Sequence, residues 1–343
     1  MSSWTDRIGI DIPIVQAPIG NACTPELVSA VSQAGALGMF AGSWRSPADM
    51  RRLIRETQSR TSRPFGVNLT LQWPEAQQEV LTVCIEEDVA VISLWWGDAR
   101  PFLQRLEGSD VTTMITVGTA EEARQAEDLG VDLVVAQGYE SGGHVWGSIS
   151  TMPLVAAVTQ AVSVPVIAAG GIGDARGIAA ALCLGAAGVW MGTRFIATRE
   201  SGAHRIYKQA VVEAQETSTI HSQIFDLGWP DVFHRTLRNR SVELALSASD
   251  NPRPGSGDVL GSTEQDVPIR RYDDNEPLEG WTGEIQEMCL YAGESCGVVH
   301  GIPSASELVT QLWRQTGDEL HEATAQWTSF GSVSDRTSAR RAT

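Results

Sequence analysis

The sequence predicts an α/β fold, a (β/α)8 TIM barrel followed by a smaller C-terminal lid region. Three observations predict it. Short β-branched apolar runs alternate strictly with helical patterns over about two hundred residues, which demands a parallel sheet with crossover helices. There are eight such runs, and eight favours closure into a barrel over an open doubly wound sheet. The last two runs end in glycine-rich turns, Gly170-Gly171-Ile172-Gly173 and Gly192-Thr193, where barrels of this kind hold phosphate.

Taken in order, the strand candidates are residues 12–17, 37–41, 65–71, 89–94, 113–117, 133–137, 164–169 and 188–191. Each is short and bounded by polar residues, proline or glycine, as a strand buried on both faces reads. Strand four has the least sharp boundaries. Between them, residues 25–35, 47–59, 74–87, 100–107, 119–130, 153–162, 174–185 and 201–215 carry apolar side chains at three- and four-residue spacing. Proline or hydroxyl residues open most of these helices, and glycine closes several.

The 343 residues exceed a minimal barrel of about 250 residues and leave room for a second region. Residues 1–215 are expected to form the barrel and 216–300 a lid over its mouth. Within the lid, 247–283 is rich in Asp, Asn, Pro, Gly and Ser, reads as long loops, and is preceded by a helical pattern over 233–246. A Ser-Ala-Ser-Glu start suits a capping box for a terminal helix packing back on the barrel, placed at 301–322. Residues 323–343 read as a flexible tail.

Charge and composition narrow the function. The net charge is −17, and Lys208 is the single lysine among 25 basic residues, so nucleic acid is excluded as a partner. The N-terminus has no apolar signal core, and the longest apolar run, 178–191, is broken by Gly185 and Gly188. No membrane association and a cytoplasmic location are therefore expected. Five cysteines without close metal-type spacing read as reduced thiols, and no metal site is expected.

The chemistry concentrates between residues 131 and 195. Gly170, Gly171 and Gly173 remove side chains where backbone N–H groups must approach an anion, and a helix expected to start near Asp174 would aim its positive end there. His144 follows Ser141-Gly142-Gly143 just beyond strand six, at the ligand-binding end, and an imidazole titrating near neutrality can move a proton or hold an anion. His221 and His234 fall in the lid and read as structural. Trp95 and Trp96 end strand four, and Trp146 sits on the histidine loop; together they would wall a pocket for a small apolar substrate.

Five ordered motifs carry a family resemblance: Gln16-Ala17-Pro18-Ile19, PFGVNL at 64–69, AQGYESGGHVWG at 136–147, AAGGIGDARG at 168–177 and MGTRF at 191–195. From about residue 8 to 240 the chain resembles the flavin-binding barrels of the nitronate monooxygenases, formerly called 2-nitropropane dioxygenases. The motifs are also similar to those of FMN-dependent enoyl-acyl-carrier-protein reductases. The resemblance implies FMN as cofactor. Its phosphate would lie on Gly170, Gly171, Gly173, Gly192 and Thr193, and its ring against Ala17, Pro18, Ile19, Asn68, Gln137, Gly142 and Gly143. It further implies that His144 holds a nitronate that reacts with O2 to give a carbonyl compound and nitrite.

One departure stands out. Many relatives place a lysine after strand five, where this chain has Thr116-Val117-Gly118. A nucleotide dehydrogenase of the IMP type is discounted, because no cysteine lies between Cys84 and Cys183. A flavin sensor without turnover is a third class of reading. A homodimer is compatible with the helical faces but is not fixed by the sequence.

Overall fold

The computed structural model describes residues 3–248 and 253–330. Its strands, in chain order, begin with β1 (Ile14–Gln16), β2 (Gly38–Ala41), β3 (Phe65–Thr70), β4 (Val91–Trp95), β5 (Thr112–Val117) and β6 (Leu133–Gln137). A two-residue strand β7 (Gly143–His144) follows, then β8 (Val166–Ala169) and β9 (Gly188–Met191). All of these except β7 pair in parallel in the order β1-β9-β8-β6-β5-β4-β3-β2. The ring closes through a parallel bridge between Val15 and Leu37, where Gln16 N–H donates to the Leu37 carbonyl at 2.9 Å and Leu37 N–H to that of Ile14 at 3.0 Å. The fold is the predicted eight-stranded β/α barrel.

The two-residue period of the strands sorts their side chains. Val15, Met39, Met114, Val135 and Ile167 fill the barrel interior in one cluster with Trp4, Ile8 and Ile10. The helix Trp4–Ile8 therefore plugs one end, and Trp4 Nε1 fixes it by donating to the Ala187 carbonyl at 2.9 Å. Alternate residues such as Ile14, Val134, Ala136 and Ala168 face outward against the helices. There the helix Pro25–Gln33 buries Leu27 and Val31, each worth roughly 1.5–3 kcal/mol when withdrawn from water.

The terminal helix runs Ala305–Ser329 behind a capping box formed by Ser304 and Glu307. Its residues Ala305, Leu308, Val309 and Leu312 join the cluster of Leu27, Val31, Ile178 and Ala181. It is seven residues longer than the expected 322, because 323–329 keep helical hydrogen bonding on an exposed face. The remainder of the expected tail, 331–343, lies outside the described residues.

The lid differs more from expectation. The pattern over 233–246 divides into a strand, β11 (His234–Leu237), and a helix Arg240–Ser247, with Asn239 capping the helix through Val242 N–H. β10 (Thr219–Ser222) precedes β11, and the two form a sheet with β7 in the order β10-β11-β7. The polar stretch after residue 252 contains β12 (Val259–Ser262), β13 (Pro268–Arg270) and β14 (Thr282–Gly283), paired antiparallel, rather than loops alone. Among the described residues, no helix is long and apolar enough to cross a membrane.

Candidate active site

The carboxyl ends of the strands open into a cavity of about 430 Å³, within the range of small-molecule sites. Of the residues singled out in the sequence, Ala17, Pro18, Ile19, Asn68, Trp95, Gln137, Gly142, Gly143, His144, Gly170, Gly171, Gly192 and Thr193 line it. Gly173, Trp96 and Trp146 do not. Gly173 is packed against Ser295 and Val298, and a Cβ there would lie 2.7 Å from Val298 Cγ2. Trp96 and Trp146 pack on each other, ring centroids 4.8 Å apart, behind the wall that Trp95 presents.

One end of the cavity is made of backbone donors. Gly170 and Gly171 have φ of +100° and +68°, and the N–H groups of Gly170, Gly171 and Gly192 take no hydrogen-bond partner among the described residues. Only glycine suits the first turn, since a Cβ on Gly170 would meet Ser141 Oγ at 2.5 Å and the Gly138 carbonyl at 2.9 Å. Ser141 Oγ is itself buried and unpaired. Asp174 caps the helix Ala175–Cys183 as expected, accepting from Gly177 N–H at 2.9 Å. The Thr193 hydroxyl accepts from Gly293 N–H at 2.9 Å, which leaves its own proton available.

The amides at the ring end are partly engaged. Gln137 braces the histidine loop, its oxygen accepting from Trp146 N–H at 2.9 Å and its nitrogen donating to the His144 carbonyl at 3.2 Å. Asn68 Nδ2 donates to Ser93 Oγ at 3.2 Å. The structure thus gives Gln137 a positioning task that the sequence does not show.

His144 is held from both sides. β7 pairs with β11 so that His144 lies opposite His234, and Gln137 bonds its carbonyl from below. Its ring centroid is 4.5 Å from that of Trp229 and 5.6 Å from that of Tyr291. Nε2 is buried and has no partner among the described residues. Burial in this aromatic surround, with the neighbouring His234, pushes the imidazole down to about 3. The expectation of a group titrating near neutrality is therefore corrected: His144 is a neutral imidazole at pH 7, and only an arriving anion would raise its affinity for a proton. His234 and His221, both in the lid region, are each engaged by a neighbouring group. His234 Nε2 accepts from Phe225 N–H at 3.1 Å, and His221 contacts the Tyr139 hydroxyl through Nδ1 at 3.2 Å.

The lid supplies residues that the sequence reading missed. Trp229 is buried among Trp44, Trp73, Trp95, Trp96 and His144, with centroid distances of 4.5–6.3 Å, and closes the cavity. Asp274, Glu276 and Tyr291 line the side facing it, and the Tyr291 hydroxyl donates to the Asp274 carbonyl at 2.8 Å. Trp229 sits in a Gly-Trp-Pro turn that could have signalled a fixed loop. Glu276 is one acid among many in a polar stretch and carries no signal.

A phosphate-bearing ligand with a flat ring fits this arrangement. Free backbone donors stand at one end of the cavity, unpaired Ser141 Oγ, Trp95 Nε1 and His144 Nε2 lie along its wall, and no lysine or arginine lines it. Closed barrel and cavity together define the class of β/α-barrel proteins that take a phosphate-bearing ligand at the carboxyl ends of their strands. A profile described as nitronate monooxygenase matches residues 2–315. A probable nitronate monooxygenase of Staphylococcus haemolyticus is 36% identical over 332 residues, covering 83% of this chain and 91% of its own. The chain is 37% identical over 248 residues to a (3aS,4S,5R,7aS)-5-hydroxy-7a-methyl-1-oxo-octahydro-1H-indene-4-carboxyl-CoA dehydrogenase of Mycobacterium tuberculosis, covering 71% and 68%. A solved structure of FabK from Thermotoga maritima superposes with a TM-score of 0.80 at 34% identity, covering 95% and 98%. The chain belongs to the nitronate monooxygenase family of flavin-dependent oxidoreductases.

Proposed function

We propose that the protein binds FMN and oxidises alkyl nitronates with O2 to a carbonyl compound and nitrite. The observation that carries this reading is the unpaired Nε2 of His144 in the wall of a cavity whose opposite needs are met by backbone donors. The amides of Gly170, Gly171 and Gly192 and the proton of the Thr193 hydroxyl would hold the phosphate, a role in which dipoles replace a cationic side chain. The backbone of Ala17 to Ile19 and the side chain of Asn68 would border the ring. When bound, the flavin supplies the redox step.

The chain's own residues do the rest. As a neutral imidazole, His144 donates its Nε2 proton in a hydrogen bond to the anionic nitro group and so orients the nitronate. Trp229, Trp95 and Trp44 exclude water, which strengthens that hydrogen bond. No lysine stands at the β5 end, where Thr116 lines the cavity, and Lys208 is occupied elsewhere, donating to the Arg199 carbonyl at 3.2 Å. Charge stabilisation beside the ring therefore falls to backbone dipoles.

A second reading is an FMN- and NAD(P)H-dependent enoyl-acyl-carrier-protein reductase, which the motifs also resemble; a relative named a carboxyl-CoA dehydrogenase favours it only in having a thioester in its name. Nitrite release in air separates the two. The FMN-loaded wild type is expected to release nitrite from an alkyl nitronate, and His144→Ala to lower the turnover by about 10²–10⁴-fold with FMN still bound. Full turnover in His144→Ala would remove the histidine from the mechanism.

A further inference from the structure

Glu276 is a buried carboxyl group in the cavity wall, 9% exposed, with no ion pair to an arginine, lysine or histidine side chain among the described residues. Its Oε1 accepts from Asn21 N–H, in the turn that follows β1, and the Ala22 amide lies within its reach. Gly20, with φ of +59°, makes room for it, since a Cβ there would overlap the carboxylate. The remaining ionisable groups that face it or share its wall are Arg45 after β2, Asp274 two residues before it, Tyr207 on the helix Arg205–Glu213, and Cys289 and Tyr291 in the lid. Of these, Arg45 is turned away: it donates to the carbonyls of Ala41 and Cys23, both at 3.0 Å. The carboxyl is therefore held by neutral dipoles at the edge of a cavity proposed to receive an anion.

We infer that Glu276 is a specificity-determining residue that selects on substrate charge: its neutral form admits an anionic substrate to the cavity, and its ionised form turns that substrate away. This rests on the nitronate reading for the identity of the anion, but the charge selection follows from the cavity itself. Two like charges in one water-poor space repel strongly. Burial supports the same picture, because it pushes the carboxyl up to about 7, so that both forms are populated near neutral pH. Of the other groups, Tyr207, Tyr291 and Cys289 are pushed above their ordinary range by burial and His144 below it, so these four keep their charge between pH 6 and 8; burial also pushes the Asp274 carboxyl up, and Glu276→Gln, which leaves Asp274 in place, separates the two carboxyls. A structural strut between lid and β1 turn would show no such dependence.

The test is a binding titration of the FMN-loaded protein, followed by the visible absorbance of the flavin. Nitrate serves as a planar anion that never protonates in this range, and nitrobenzene as a nitro compound that carries no charge. With one group titrating at about 7 and only its neutral form binding, nitrate is expected to bind about tenfold more weakly at pH 8 than at pH 6. Nitrobenzene should bind equally at both. In Glu276→Gln, which keeps an acceptor for Asn21 N–H, the nitrate dependence should vanish. The inference is overturned by a flat nitrate response in the wild type, by an equal shift with nitrobenzene, by an unchanged shift in Glu276→Gln, or by nitrate failing to bind at pH 6. The wild-type contrast between the two ligands decides the matter even without the variant. Because no turnover is measured, failure to release nitrite would count against the proposed function and leave this result standing.

Discussion

The turn at Gly170 and the lid segment at Glu276 face the same cavity, yet they are built on opposite principles. The barrel side presents backbone N–H groups on glycines whose geometry is dictated by the strands before them, so its polarity is fixed and positive in character. The lid side presents side chains, Trp229, Asp274, Glu276 and Tyr291, anchored by individual hydrogen bonds. A barrel mouth of this kind suits a permanently bound anionic cofactor. The lid, whose carboxyls and indoles can be exchanged without disturbing the strands, suits the choice of substrate.

That division can be broken most forcefully at Trp229. Trp229→Ala removes a buried indole that touches five aromatic rings, and is expected to cost about 3–5 kcal/mol in lid stability, read as early proteolysis within residues 216–300. FMN content should change little, because the phosphate donors lie on the barrel side. If flavin were lost together with the lid, the separation of roles would be wrong. The converse change is smaller. Gly170→Ala places a Cβ 2.5 Å from Ser141 Oγ at a φ of +100°, and should weaken flavin retention by at least about tenfold while the lid stays protected from protease. Equilibrium dialysis of FMN checks it.

The smallest effect is on stability against pH, and the sign differs between the residues. His144 and His234 are held at about 3 and about 4, below the 6.5 of an unperturbed histidine. The unfolded chain therefore binds more protons between those values, and stability falls as the pH is lowered from about 6.5. Glu276 is held at about 7, above its ordinary 4.5, so there the folded state keeps the extra proton and stability falls as the pH rises from 4.5 through 7. Melting temperatures across this range should pass through a maximum, and Glu276→Gln should flatten its alkaline side. A wild-type profile that rises monotonically to pH 8 would contradict the Glu276 environment.

The same contrast explains what the sequence disclosed. The barrel was legible because each strand must be apolar on both faces and each helix on one, so period and glycine punctuation recur eight times. His144 stood out because a histidine directly after a Gly-Gly pair at a strand end has few structural reasons to be there. The lid repeats nothing. Its strand at His234–Leu237 is only four residues long and runs closely into the next helix, and the combined pattern reads as helix. Trp96 and Trp146 look like pocket residues in one dimension; the left-handed turn at Trp96, φ +64°, sets its ring behind Trp95 against Trp146. Gln137 looked free because nothing in the sequence shows that the chain returns over it. Glu276 was invisible for a similar reason, since its burial depends on the fold of a segment more than two hundred residues from the turn it meets.

Anaerobic stopped-flow mixing of the FMN-loaded protein tests the central reading most directly. Mixed with an alkyl nitronate, the flavin absorbance is expected to bleach, and nitrite should appear once air is admitted. Bleaching by NADH alone, with nitronate inert, would contradict the nitronate reading and place the protein with the thioester-acting members of its family.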